Sequence, residues 1–134
     1  MERRLENRVA VVTGGAQGIG FGIAERLACE GAAVVIADIK AEKAREAAEG
    51  LAAAGLSATA VGVDIGDDVS VAALAREVEA RHGRCEILVN NAAIVDTTGI
   101  EAMTMARYHE VVRINQDGAV RMTLAFVPLI KRSG

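Results

Sequence analysis

With 134 residues, the chain can form one hydrophobic core and is too short for two. Apolar residues make up 51% and aromatics only 2%, so the core is expected to be built from Ala, Val, Ile and Leu, which suits a parallel sheet covered by helices on both faces. The net charge of −3, with both signs interspersed, argues against nucleic acid as a partner, and no apolar stretch is long enough to cross a membrane.

The charged start, Met1-Glu2-Arg3-Arg4-Leu5-Glu6-Asn7-Arg8, leads into an apolar run too short for a signal peptide. That run, residues 9–12, reads as a first buried strand. Thr13-Gly14-Gly15-Ala16-Gln17-Gly18-Ile19-Gly20 follows, and then a helix predicted with Ile19, Ile23 and Leu27 on one face. In a strand–turn–helix context, Gly14 lets the chain turn sharply and Gly18 lets the backbone approach a pyrophosphate. Gly20 lets the helix lie close to the sheet. The free N–H groups and positive dipole end of the helix would hold the phosphates. The alternative is an ordinary turn rich in small residues.

Gly31 is expected to end the first helix, and residues 33–37 to form a second strand closing at Asp38. Residues 41–54 read as a helix with Ala44, Ala47, Ala48 and Leu51 inward, stopped by Gly55. A third strand over 58–63 ends at Asp64. Asp67 is predicted to cap a third helix with the stripe Val71, Leu74, Ala75 and Val78, which Gly83 stops. Residues 86–90 read as a fourth strand, and 96–99 as a polar loop. Thr104 is expected to cap a long fourth helix towards Ile130, with Pro128 kinking its last turn. Cys29 and Cys85 match no metal or redox spacing and read as reduced, buried residues of a cytoplasmic protein. His82 and His109 are isolated, so no metal site is expected.

Successive strand–helix units of this length predict right-handed crossovers and an α/β fold, a Rossmann-like doubly wound parallel sheet of strand order 3-2-1-4. The chain reverses across the sheet between strands 1 and 4, and a ligand belongs in the crevice at their carboxyl ends. Asp38, Asp64, Asn90 and Asn91 all stand at strand ends. Asp38 is placed to accept hydrogen bonds from an adenosine ribose and to repel a 2′-phosphate. A charge pair at about 5 Å and an effective dielectric of about 20 interacts by about 3 kcal/mol. That corresponds to a preference for NAD over NADP of roughly a hundredfold. Positions 17 and 39 hold Gln17 and Ile39 rather than Arg, although Lys40 is near. The alternative for Asp38 is a cap on the next helix. Asp64 either accepts from the adenine amino group or starts an Asx turn before Gly66, and Asn90 and Asn91 either line the crevice or serve turn chemistry. Asn115 falls on the helical stripe Tyr108, Val111, Val112, Ala119, Met122 and Phe126. As a buried amide it would knit backbone groups or order water.

Together these residues resemble the short-chain dehydrogenase/reductase family over nearly the whole chain, from about Arg8 to Gly134. Thr13-Gly14-x-x-x-Gly18-Ile19-Gly20 is similar to its cofactor motif. Asp38, Asp64, Asn90-Asn91-Ala92-Ala93, and Asn115 with Gly118 match in order. Ala93 departs from the usual Gly. The resemblance implies that Gly14, Gln17, Ile19, Asp38, Asp64, Ile65 and Asn91 contact NAD, with Gly18 and Gly20 completing the motif. It implies hydride transfer between a nicotinamide and a small-molecule carbonyl or alcohol, with Asn115 matching the Asn that holds a water in the catalytic machinery. The family's Ser and Tyr-x-x-x-Lys have no counterpart: the single tyrosine, Tyr108, precedes Asn115 and is followed four residues later by Val112. Tyr108 therefore reads as core packing, and Ser133 comes too early to be the family's serine.

The expectation is an NAD-binding domain over 1–134 that is truncated before the fifth strand and is the incomplete subunit of an oxidoreductase. It would leave strand 4 an open edge, be weakly stable and catalytically silent alone, and form a homo-oligomer through helix four. A non-catalytic NAD-binding module, or an interaction protein pairing with a full-length relative, remain as alternatives.

Overall fold

The computed structural model describes residues 2–134. Four parallel strands, β1 (Val9–Thr13), β2 (Ala33–Asp38), β3 (Ala58–Gly62) and β4 (Ile87–Val89), lie in the order β3-β2-β1-β4, as the crossover rules predict. β1 is central. Val11 pairs with Val35 on one side and Leu88 on the other, and every β1 residue is buried. The run is continuously apolar because both faces of the strand are covered.

Successive side chains alternate between those faces. Ala10 and Val12 of β1, with Val34 and Ile36 of β2, meet α1 (Gly18–Cys29) and α2 (Ala41–Ala53). Val9, Val11 and Val35 meet α3 (Asp68–His82) and α5 (Gly118–Ser133). The predicted stops hold: Gly31, Gly55 and Gly83 all have positive φ. The predicted caps hold as well. Asp67 accepts from the Ser70 amide at 3.2 Å and Thr104 from the Arg107 amide at 3.2 Å.

Several expectations are corrected. The fully buried residues of α1 are Gly20, Ala24 and Ala28; of the predicted stripe, Ile23 and Leu27 are half-buried against the same core and Ile19 is 79% exposed. The helix lies too close to the sheet for branched side chains beneath it. Phe126 and Met122 are fully buried, so the core is not purely Ala, Val, Ile and Leu. Cys85 is buried but Cys29 only half-buried.

The predicted fourth helix is divided into α4 (Met105–Val112), a π-helical turn (Arg113–Asp117) and α5. A π-turn inserts one residue, and one residue rotates a helix by about 100°, so the apolar stripe read across it loses phase. Tyr108 is consequently 52% exposed rather than core, and Asn115 is exposed rather than buried. The buried series runs instead through Ile114, Gly118, Met122, Phe126 and Leu129. Pro128 stands exposed inside α5, which continues past Ile130 to Ser133. The Ser133 hydroxyl accepts from the Cys85 amide at 2.9 Å, fastening the end of α5 to the chain entering β4.

Candidate cofactor site

The carboxyl ends of β1, β2, β3 and β4 converge on a cleft of about 460 Å³. Gly14, Gln17, Gly18, Ile19, Gly20, Asp38, Asp64, Ile65 and Asn91 all line it, so all nine residues selected from the sequence as cofactor contacts are brought together. Ile39, Lys40, Ala92, Ala93, Ile94 and Ile114 are among the other lining residues.

The turn after β1 is shaped by close backbone approach. Gly14 has φ +65°, and a Cβ there would stand 2.9 Å from Ala92 Cα and from Asn91 Nδ2. At Gly20 a Cβ would overlap the Gly14 carbonyl oxygen, so only hydrogen lets α1 begin this near the strand end. A Cβ at Gly18 would meet nothing within 4 Å. Gln17, the N-cap of α1, is extended and makes no side-chain cap, and the first turn carries no acidic residue. The first amides of α1 therefore keep their donors, and the positive end of the helix faces no carboxylate of its own first turn.

Thr13 braces this turn to β4. Its hydroxyl donates to the Val89 carbonyl at 3.3 Å and accepts from the Asn91 and Ala92 amides at 3.1 and 3.0 Å. Asn91 Nδ2 donates to the Thr13 and Gly14 carbonyls at 3.1 and 3.2 Å. The paired asparagines thus serve different ends. Asn91 locks the floor of the cleft, whereas Asn90 is exposed and donates to Thr123 Oγ1 at 3.2 Å. The bracing role of Thr13 was not assigned from the sequence. Its only signal there is a hydroxyl ending an otherwise apolar strand.

Asp38 is 9% exposed. Its Oδ2 accepts from the Ala16 amide at 3.2 Å and its Oδ1 from the Lys40 amide at 3.0 Å. The carboxylate ties the glycine turn to the end of β2. It does not cap α2, whose N-cap residue is Lys40 and has no side-chain cap. Beside it, Lys43 Nζ donates to Gln17 Oε1 at 3.1 Å. Asp64 forms the Asx turn considered from the sequence, its Oδ1 accepting from the Gly66 amide at 2.8 Å, and it lines the cleft as well. Ile65 packs on Gly118, where a Cβ would stand 2.7 Å from Ile65 Cδ1.

Asn115 is not among the cleft-lining residues. Its Oδ1 accepts from the Ile94 amide and its Nδ2 donates to the Ile94 carbonyl, both at 2.8 Å, so it knits backbone, one of the two roles open to it. The loop beyond is fixed by Asp96, whose Oδ1 accepts from the Thr98 amide at 2.7 Å and which pairs with Arg107 of α4. Hydrogen bonds from Thr98 and then Arg107 hold the Asp96 carboxyl at about 2.

Among the described residues no group of three or more His, Cys, Asp or Glu is placed to hold a metal ion. Among the same residues no helix is long and apolar enough to cross a membrane.

A sequence profile of the short chain dehydrogenases matches residues 8–134. The chain is 43% identical over 122 residues to a galactitol 2-dehydrogenase of Agrobacterium fabrum, covering 91% of this chain and 46% of that protein. It is 40% identical over 122 residues to a sorbitol dehydrogenase of Cereibacter sphaeroides, with the same coverage of 91% and 46%. Among solved structures, a metagenomic short-chain oxidoreductase in complex with NADP superposes with a TM-score of 0.91 at 35% identity, over 98% of this chain and 61% of that one. The chain spans about half the length of the relatives it matches. Sequence motif, strand order and cleft agree with these likenesses, and the chain belongs to the short-chain dehydrogenase/reductase family of oxidoreductases.

Proposed function

We propose that this chain binds NAD in the cleft at the ends of β1–β4, as the cofactor-binding part of an oxidoreductase acting on a small carbonyl or secondary alcohol. The cofactor supplies or takes up the hydride. What carries the proposal is that nine residues chosen for dinucleotide chemistry line one cleft, with uncapped helix amides at one point and a braced carboxylate at another.

The roles follow from position. The amides at the start of α1 take the pyrophosphate, with Gly18 leaving open space above them. Asp38 takes the adenosine ribose hydroxyls, Asp64 the adenine amino group, and Ile65 the face of the base. Asn91 keeps the cleft floor rigid through Thr13 and Gly14. Asn115, through Ile94, holds the lip next to the reacting end and is the one member of the family's catalytic machinery with a match here.

Calorimetric titration with NAD and NADP tests the assignment. NAD is expected to bind roughly a hundredfold more tightly, from about 3 kcal/mol of repulsion between Asp38 and a 2′-phosphate. Asp38→Asn keeps the shape and one acceptor but removes the charge, and should abolish most of that preference. Equal affinities in the unaltered chain would overturn the NAD assignment. A specific observation favours NADP as the second reading: Lys40 lines the cleft, Lys43 stands on Gln17 beside it, and a structural neighbour holds NADP.

The relatives named for galactitol and sorbitol make polyols the first substrates to assay. With Tyr108 as its one tyrosine and Val112 four residues on, this chain alone is expected to show no turnover of either. Val120 and Leu124, 55% and 71% exposed on α5, are proposed as the seam of a homo-oligomer, which sedimentation would detect. The two free cysteines accord with a cytoplasmic setting.

A further inference from the structure

The loop between β3 and α3 is held from behind by two arginines that no part of the proposed cofactor contact set includes. Arg113, in the π-turn, donates from Nη1 to the Gly66 carbonyl at 2.8 Å. Its Nε and Nη2 grip the Glu110 carboxylate at 2.9 and 2.8 Å, which fixes the plane of the guanidinium. Arg121, on α5, donates from Nη1 to the Ile65 carbonyl at 2.6 Å and pairs with Asp68. Two consecutive carbonyls of one loop are thus each taken by a guanidinium from the helical segment that follows β4. The fit is tight: a Cβ at Gly66 would overlap the Arg113 guanidinium and stand 2.8 Å from Ile114 Cδ1.

The opposite side of this loop faces the cleft and carries Asp64 and Ile65. Asp64 spends Oδ1 on the Gly66 amide, the same residue whose carbonyl Arg113 holds. No donor among the described residues takes its Oδ2. Arg121 thus fixes the peptide unit before Gly66 and Arg113 the one after it, and because the Gly66 amide is bonded to Asp64, the orientation of Gly66 sets the Asp64 carboxylate.

We propose that Arg113 is a positioning residue for the purine end of the dinucleotide, holding loop 64–67 so that Asp64 meets the base. The inference rests on the dinucleotide assignment above. Arg113 lies outside the cleft lining, so it would act on the base only through this loop.

The test compares NAD with nicotinamide hypoxanthine dinucleotide, whose purine carries an oxygen in place of the 6-amino group. The unaltered chain is expected to bind NAD about tenfold more tightly, the worth of one hydrogen bond to a charged group. In Arg113→Ala the ratio should fall to about one, through loss of NAD affinity, while affinity for the analogue changes little. A merely structural role would weaken both ligands together and leave the ratio alone, and that result overturns the proposal. Arg113→Lys, which keeps one donor for the Gly66 carbonyl but not the fork on Glu110, should retain a ratio of about threefold. It carries the same comparison if the alanine variant does not fold. NAD binding without discrimination in the unaltered chain sinks this inference and leaves the dinucleotide assignment standing. No binding of either ligand sinks the assignment. Amide exchange at Ile65, Gly66 and Asp67 in the unliganded chain then decides the clamp, because exchange unaltered by Arg113→Ala would show that Arg113 holds nothing.

Discussion

The two faces of the sheet are packed by opposite means. On the α1/α2 face the buried helix residues are Gly20, Ala24, Ala28, Ala44, Ala48 and Leu51, nearly all small. On the α3/α5 face they are Val71, Leu74, Val78, Met122, Phe126 and Leu129, with Gly118 as the one small residue. Small residues bring α1 so near that its first turn touches the end of β1, which is what a site made of backbone amides requires. Large residues fill the space between α5 and the sheet, Met122 and Phe126 being fully buried there. One face is built for proximity and the other for stability.

The sharpest way to break this division is Phe126→Ala. Phe126 is fully buried, and removing its ring should cost about 3–5 kcal/mol in denaturant unfolding. NAD affinity, measured where the variant is still folded, should change little, because the ring lies under α5. A large loss of affinity with little loss of stability would reverse the roles of the two faces.

Gly20→Ala probes the other face. The new methyl meets the Gly14 carbonyl oxygen, so α1 must move outwards. A loss of about 1–3 kcal/mol is expected, together with a fall in NAD affinity of tenfold or more. Gly22→Ala on the same helix is the counterpart: nothing lies within 4 Å of its Cβ, and better helix propensity should add about 0.5–1 kcal/mol.

Caps divide the α3/α5 side more finely. Asp67→Ala removes the acceptor for the Ser70 amide and should lower global stability by about 1 kcal/mol, because α3 is anchored by Val71, Leu74 and Val78. Thr104→Ala removes an equivalent bond, but α4 buries no residue. Its effect should appear as faster amide exchange within α4 and leave the global midpoint nearly unmoved.

The effect confined to acid pH lies behind α1. Glu30 is buried and takes both Arg4 Nε and Nη2, at 3.0 and 2.9 Å, together with a contact from Arg26. Hydrogen bonds from Arg4, working against burial, hold its carboxyl at about 2, below the ordinary 4.5. A lowered carboxyl pKa stabilises the fold above the ordinary value, and that contribution fades as pH falls from about 4.5 towards 2. Glu30→Gln should flatten the acid limb of the stability curve over that window. An unchanged acid limb would show that the Arg4 contact does not persist in solution.

Much of the cleft could be read from the chain because its residues sit at strand ends or in the glycine turn. Alternation of apolar runs with Gly31, Gly55 and Gly83 located the strands. The right-handed crossover rule then placed Asp38, Asp64 and Asn91 at one edge of the sheet. What failed depended on rotation or on remote partners. α1 is apolar on several sides, so periodicity favoured the larger Ile19, Ile23 and Leu27, and only the closeness of Gly14 to Gly20 selects the small face. Helical spacing puts Tyr108 and Asn115 on a buried face because the extra residue of the π-turn has no sequence signature that alternation or spacing detects.

The sequence by itself determined the strand order, the helix stops and caps, and the identity of the residues along the cleft, because each depends on contacts between near neighbours or on a topological rule. Tertiary structure decided which side of α1 is buried, how the π-turn aims Arg113 and Asn115, and that Thr13 braces β4 and Arg4 holds Glu30. Those contacts join residues 21 to 78 positions apart, or turn on a helix's distance from the sheet, and local spacing carries no record of either.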